Sequence, residues 1–327
     1  WATRLIGERL TEECGVAGVE KRQKAVAAAI REARESGTTL VGDVSNTLES
    51  CEPLVGSDVS AAVFYEMLGF RAADPVGMVQ AAGQRLAALP ASERFHSAIA
   101  PHAPYSVSPA LLREIGRATR GPLSLHLGES PEEVQFLLDG TAPWRDLLER
   151  IGAWSPDWIS PGCGPVEYVE RLGLLSDRLI AVHGVQFTDN ELRRLAQSGA
   201  TVVACPRSNR WTGAGVPPIR GFYASGVRVA LGTDSLASVA DLNLFSEMAE
   251  VRRLAPDVPA RQILKSATLD GATALGFADD LGSISIAKRA ELLAIRVPAG
   301  VEDVEEYLVG GIQPGDIEWL DLDWPTE

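Results

Sequence analysis

Short apolar, strand-like runs alternate with amphipathic stretches along most of this chain, and that alternation constrains its fold more than any other feature. The runs fall at 39–44, 61–66, 96–100, 122–127, 179–183, 201–205 and 227–232. Between them, 20–36, 109–119, 131–138, 166–172 and 189–198 carry helical spacing. Strands separated by helices pair in parallel through right-handed crossovers. At 327 residues, the length suits one α/β barrel with a small appendage. We therefore expect a (β/α)₈ barrel over residues 1–280 and a small appendage over 281–327. Segments 243–254 and 259–275 read as helices, and 282–286, 290–296 and 317–323 as β-like. Residues 1–10 read as helix.

Seven barrel strands do not close in the usual eight-strand way, and they leave open edges. Nothing between Trp1 and Thr39 reads as a strand, so the remaining strand is expected before Trp1.

Composition excludes some partners. The 30 basic and 44 acidic residues give a formal net charge of −14, a surface that repels nucleic acid and anionic lipid. No run of eighteen apolar residues occurs, so neither a membrane nor a nucleic acid is an expected partner. A small-molecule substrate is, and self-association into a homo-oligomer stays open. Cys14, Cys51, Cys163 and Cys205 show no metal or disulfide spacing, which fits reduced thiols in a cytoplasmic protein.

The chemistry-bearing residues collect at strand ends. Of the four histidines, His102, His126 and His183 lie at or just past the C-terminal ends of strands, and Asp234 ends the last one. In an α/β barrel that rim builds the active site. Singly, each has a bland explanation, such as a satisfied structural histidine or a helix cap for Asp234; a shared rim position needs a shared one. Imidazole and carboxylate together suit one divalent ion, Zn2+ by preference and Fe2+ as the alternative. Glu129, three residues after His126, can fold back over a metal-bound water as a proton shuttle, or merely start the helix that follows. His96 begins its strand, at the opposite end, and reads as structural.

Five segments carry a resemblance. They are Ala100-Pro101-His102-Ala103-Pro104-Tyr105-Ser106-Val107-Ser108, Leu125-His126-Leu127-Gly128-Glu129 with Glu133, Val182-His183-Gly184, Cys205-Pro206-Arg207-Ser208-Asn209, and Leu231-Gly232-Thr233-Asp234-Ser235. In this order they resemble the amidohydrolase superfamily, in its chlorohydrolase and aminohydrolase branch of adenosine-, methylthioadenosine/S-adenosylhomocysteine- and aminofutalosine-type deaminases. The tail Gly271-Ala272-Thr273-Ala274-Leu275-Gly276 with Gly282-Ser283-Ile284 is similar to the family's last helix and its return to a sandwich, which implies that 281–327 is part of a small β-sandwich domain.

The resemblance implies hydrolytic deamination of a purine-like or aminofutalosine-like amine by metal-bound hydroxide, with release of ammonia. His126 and Asp234 become metal ligands, with His183 beside the hydroxide or as a further ligand. Glu129, His183 and Asp234 become catalytic. His102 contacts the substrate, and Arg207, Ser208 and Asn209 line the pocket or serve only as loop structure. The family's first strand ends in a His-x-His pair that this sequence lacks. The resemblance therefore implies that about eighty or ninety further residues precede Trp1, by typical barrel size. A triazine-type chlorohydrolase is the alternative chemistry, and a metal-free barrel scaffold the alternative if the chain is complete. A departing chloride needs no proton, so the presence of Glu129 favours deamination.

Overall fold

A computed structural model describes residues 16–90, 92–141 and 143–320. Its strands are β1 (Leu40–Ser45), β2 (Ser60–Met67), β3 (Phe95–Pro101), β4 (Leu123–Leu127), β5 (Leu179–His183), β6 (Thr201–Ala204) and β7 (Arg228–Leu231). Each expected run forms a strand, with boundaries within a residue or so. All pairings among them are parallel, in two ladders, β1-β2-β3 and β4-β5-β6-β7. The ladders meet at their C-terminal ends, where the His126 N–H donates to the His102 carbonyl at 3.0 Å and the His102 N–H donates to that of Met67 at 3.1 Å. The seven strands thus run side by side in chain order. Among the described residues, no strand pairs with the outer edge of β1 or of β7.

Both faces of the inner strands are covered, as parallel sheets require: on β2, seven of eight residues are buried, whereas the edge strand β1 leaves Gly42 and Val44 exposed. One face packs on the helices: Val63 with Cys51 and Leu54, and Leu125, Ala181 and Val202 with Leu111, Leu137 and Leu192. The opposite face gathers Ala62, Phe64, Ala100 and Ile180 against Ala272, Ala274, Phe277 and Leu281. His96 lies on this inward face and stacks on Phe277, ring centroids 4.3 Å apart.

Helices Val16–Glu35, Pro109–Ala118, Pro131–Asp139, Pro165–Arg171, Asp189–Ser198 and Leu244–Leu254 follow the sequence pattern closely. The expected single helix over 259–275 is two, Ala260–Ser266 and Leu269–Leu275. Hydroxyls break it: Ser266 and Thr268 donate back to the carbonyls of Gln262 and Leu264, competing with the helical ladder.

The tail departs from expectation in one respect. Residues 293–295 and 317–319 pair antiparallel as β8 (Leu293–Ile295) and β9 (Ile317–Trp319), and Trp319 Nε1 donates to the Arg34 carbonyl at 3.0 Å. Segment 282–286, expected to be β-like, forms no strand: Ile284 and Ile286 are 87% and 101% exposed, with no partner strand beside them among the described residues. The expected helix at 1–10, and residues 321–323 of the last expected strand, lie outside the described residues. No described helix is long and apolar enough to cross a membrane. Cys51, Cys163 and Cys205 are free and buried.

Candidate active site

The strand ends converge. The His126 ring lies 5.1 Å from that of His102 and 5.4 Å from that of His183. Glu129 Oε1 stands 3.9 Å from His183 Nε2. His96, as expected, is not part of the group.

Backbone geometry delivers these side chains. His183 (φ +78°) and Asp234 (φ +63°) both adopt left-handed conformations, which cost a non-glycine residue roughly 1–3 kcal/mol and persist where the surroundings impose them. Gly128 (φ +64°) and Gly184 (φ +60°) follow the His126 and His183 strands, and a Cβ on either would lie 2.6 Å from the Phe187 ring. One aromatic side chain therefore requires both glycines, and with them the sharp turns that end the two histidine-bearing strands.

The turn after His126 has a second support. The Glu133 side chain is fully buried and accepts the N–H groups of Gly128 at 2.8 Å and Glu129 at 3.1 Å. Burial pushes its carboxyl up to about 8. Glu133 is thus the brace that aims Glu129.

Each histidine has a defined environment. His126 Nδ1 lies 2.9 Å from the His102 carbonyl, which only accepts, so Nδ1 carries a proton and Nε2 keeps its lone pair. Burial pulls the His126 pKa down, but Glu66, then Glu129 and Asp234, and the His102 carbonyl outweigh it, and the net shift is upward. His183 Nδ1 lies 3.0 Å from Asn209 Nδ2, a donor, so the Nε2 facing Glu129 carries the proton. Burial lowers the His183 pKa. Burial also lowers His102, to about 4; its Nδ1 meets Ser106 Oγ at 2.6 Å.

Asp234 stands exposed at the rim. Its Oδ2 takes the Ser208 hydroxyl at 2.5 Å and lies 3.1 Å from that of Ser238, and both serines are buried. Ser208 and Asn209 therefore touch Asp234 and His183. Arg207 is held elsewhere, by Glu247 at 2.7 Å, Asp241 at 2.8 Å and the Asp241 carbonyl at 3.0 Å. Its guanidinium braces helix Leu244–Leu254 against the strand end instead of being free for a ligand.

One carboxylate in the site was not among the expected residues. Glu66, at the end of β2, is 9% exposed. Glu66, His102 and His126 each bring one donor atom within 4.8 Å of the others, a spacing able to hold a metal ion. The available signal was register: Glu66 continues the inward alternation of Ala62 and Phe64.

Comparison with known proteins places this arrangement. A model described as the amidohydrolase family matches residues 18–311. The chain belongs to the amidohydrolase family. It is 32% identical over 250 residues to an aminodeoxyfutalosine deaminase of Deinococcus radiodurans, covering 72% of this chain and 59% of that one. It is 35% identical over 215 residues to a 5-methylthioadenosine/S-adenosylhomocysteine deaminase of Halobacterium salinarum, covering 63% and 45%. This amidohydrolase chain thus spans between about two-fifths and three-fifths of the length of these curated relatives. Among solved structures, an adenosine deaminase from Xanthomonas campestris with bound zinc superposes with a TM-score of 0.77 at 29% identity, over 92% of this chain and 68% of that one.

Proposed function

We propose that this chain carries the catalytic rim of a hydrolytic deaminase acting on a purine-like or aminofutalosine-like amine. The observation that carries the reading is the pairing of Glu129 with His183 across 3.9 Å, beside a His126 whose Nε2 lone pair is free. The relatives' names supply the substrate class. On this reading the seven strands belong to a (β/α)₈ barrel, whose remaining strand would pair with the open edges of β1 and β7, and residues 281–327 belong to a small β-sandwich. The net charge of −14 and the small-molecule activities named for the relatives support a cytoplasmic enzyme of small molecules.

The donor set fits a divalent ion, zinc by analogy with the Xanthomonas structure. His126 Nε2 and the carboxylate of Asp234 would hold it, with Ser208 and Ser238 fixing one Asp234 oxygen. When bound, such an ion supplies a water acidified towards neutrality. Glu129, aimed by Glu133, takes the proton from the attacking water and returns it to a ring nitrogen. The His183 Nε2–H donates to the oxygen on which negative charge develops. We assign His183 this donor role over direct ligation, because ligation through Nε2 needs the opposite tautomer. Asp234 takes the second proton of the attacking water, from the hydroxyl now on the substrate carbon, and passes it to the leaving amino group, which departs as ammonia. His102 presents Nε2 to the substrate, and Asn209 acts through His183.

Ammonia release from 6-aminopurine nucleosides, compared with chloride release from chlorinated triazines, tests this. Ammonia release that is lost in Glu129→Gln is the expected result. Turnover of the triazines alone would overturn the deaminase reading.

A further inference from the structure

Glu66 carries a carboxylate buried at the end of β2, beside the His126 ring. Its Oε2 accepts from Asn46 Nδ2 at 2.8 Å. Its Oε1 is buried without a hydrogen bond and lies 3.4 Å from His126 Nδ1. The same Nδ1 is 2.9 Å from the His102 carbonyl. A carboxylate left unpaired in such a place is costly, unless a proton of fixed position faces it.

We infer that Glu66 is a positioning residue for His126: the His102 carbonyl accepts the Nδ1–H, the Glu66 carboxylate 3.4 Å away adds its charge beside the same proton, and together they aim the Nε2 lone pair into the mouth. The inference rests on the proposed role of His126 as a metal ligand. Asn46 completes the chain of restraint by tethering the other Glu66 oxygen. Residues from three strand ends thereby control one ring: Asn46 after β1, Glu66 on β2 and His102 after β3. A histidine that ligates through one nitrogen is made more basic and better oriented by the carbonyl and carboxylate groups around its other N–H, and loss of such a partner typically weakens metal binding by about 10–100-fold. Glu66→Gln keeps the shape and leaves an oxygen for Asn46, but removes the charge beside Nδ1.

Zinc and cobalt(II) affinities, measured by competition with a chromophoric chelator, test this on the parent, Glu66→Gln and His126→Ala. Glu66→Gln is expected to melt within a few degrees of the parent and to bind either ion about tenfold or more weakly. The His126 Nδ1–H proton resonance should move upfield as its hydrogen bond weakens. Affinity within twofold of the parent overturns the inference. If His126→Ala loses the ion while Glu66→Gln does not, this inference alone fails. If His126→Ala retains it, the ligand reading beneath it fails. Asn46→Ala gives an independent check should Glu66→Gln fold poorly: the untethered carboxylate should weaken affinity about threefold or more, below the full effect of losing the charge, and no change again overturns the inference.

Discussion

Asn209 Nδ2 stands 3.0 Å from His183 Nδ1, and this contact decides which nitrogen of His183 carries the proton that faces Glu129. Asn209 is fully buried, and its Oδ1 has no hydrogen-bond partner, so the amide is committed to the ring. Asn209→Asp places an acceptor at Nδ1 and reverses the tautomer. We expect Nε2 to lose its proton and kcat to fall by about tenfold or more, from loss of one preorganised donor. Nitrogen-15 shifts of labelled histidine report the tautomer directly; an unchanged tautomer contradicts the assignment.

Glu129→Gln should leave the fold and metal content intact and lower turnover by about a hundredfold or more, as loss of a positioned acid/base does. Steady-state ammonia release checks this. Unchanged turnover would return Glu129 to its plain role as the residue before a helix cap.

Glu133→Leu strips the acceptor from two N–H groups, those of Gly128 and Glu129. Each buried donor left unsatisfied costs about 1–3 kcal/mol, partly offset here by removing a desolvated carboxyl. Thermal unfolding should show a net loss of about 1–3 kcal/mol, and activity should fall with it because Glu129 is no longer aimed. Full activity in a destabilised variant would separate Glu133 from the site.

The pH dependence of stability follows from His102. Burial lowers its pKa from 6.5 to about 4, so below pH 6.5 the unfolded chain gains a proton that the folded chain refuses. Its contribution is intact above pH 6.5 and is lost progressively as pH falls towards about 4. His102→Asn removes this titration, and the difference in melting temperature between parent and variant should change across that window. A difference that stays constant from pH 7 to 4 contradicts the assignment.

Much of this was legible in the sequence, for identifiable reasons. The seven strands read correctly because each is a short apolar run set between amphipathic helical stretches or turn residues. The rings of His102, His126 and His183 lie side by side, as residues at strand ends that share a rim do. The helix Pro75–Ala87 escaped the pattern because Gly77 and Gly83 interrupt it, although its start was marked: Asp74 caps it by accepting from the Gly77 N–H. For Arg207 the sequence leaves pocket lining and loop structure equally open; its ion pair with Glu247 joins residues forty apart, and no local signal shows that. Glu66 carries no assigned role in the sequence reading because an acid in an apolar run does not show which residue it faces. Its meaning comes from its distance to His126.

The central claim is that His126, Asp234 and their neighbours form one mouth that holds a divalent ion. Anomalous diffraction at the zinc edge, from crystals grown with zinc, tests it most directly. The account predicts a peak within bonding distance of His126 Nε2 and the Asp234 carboxylate, with Glu129 and the His183 Nε2–H facing it. A peak bound elsewhere on the chain, or none at His126, would contradict it.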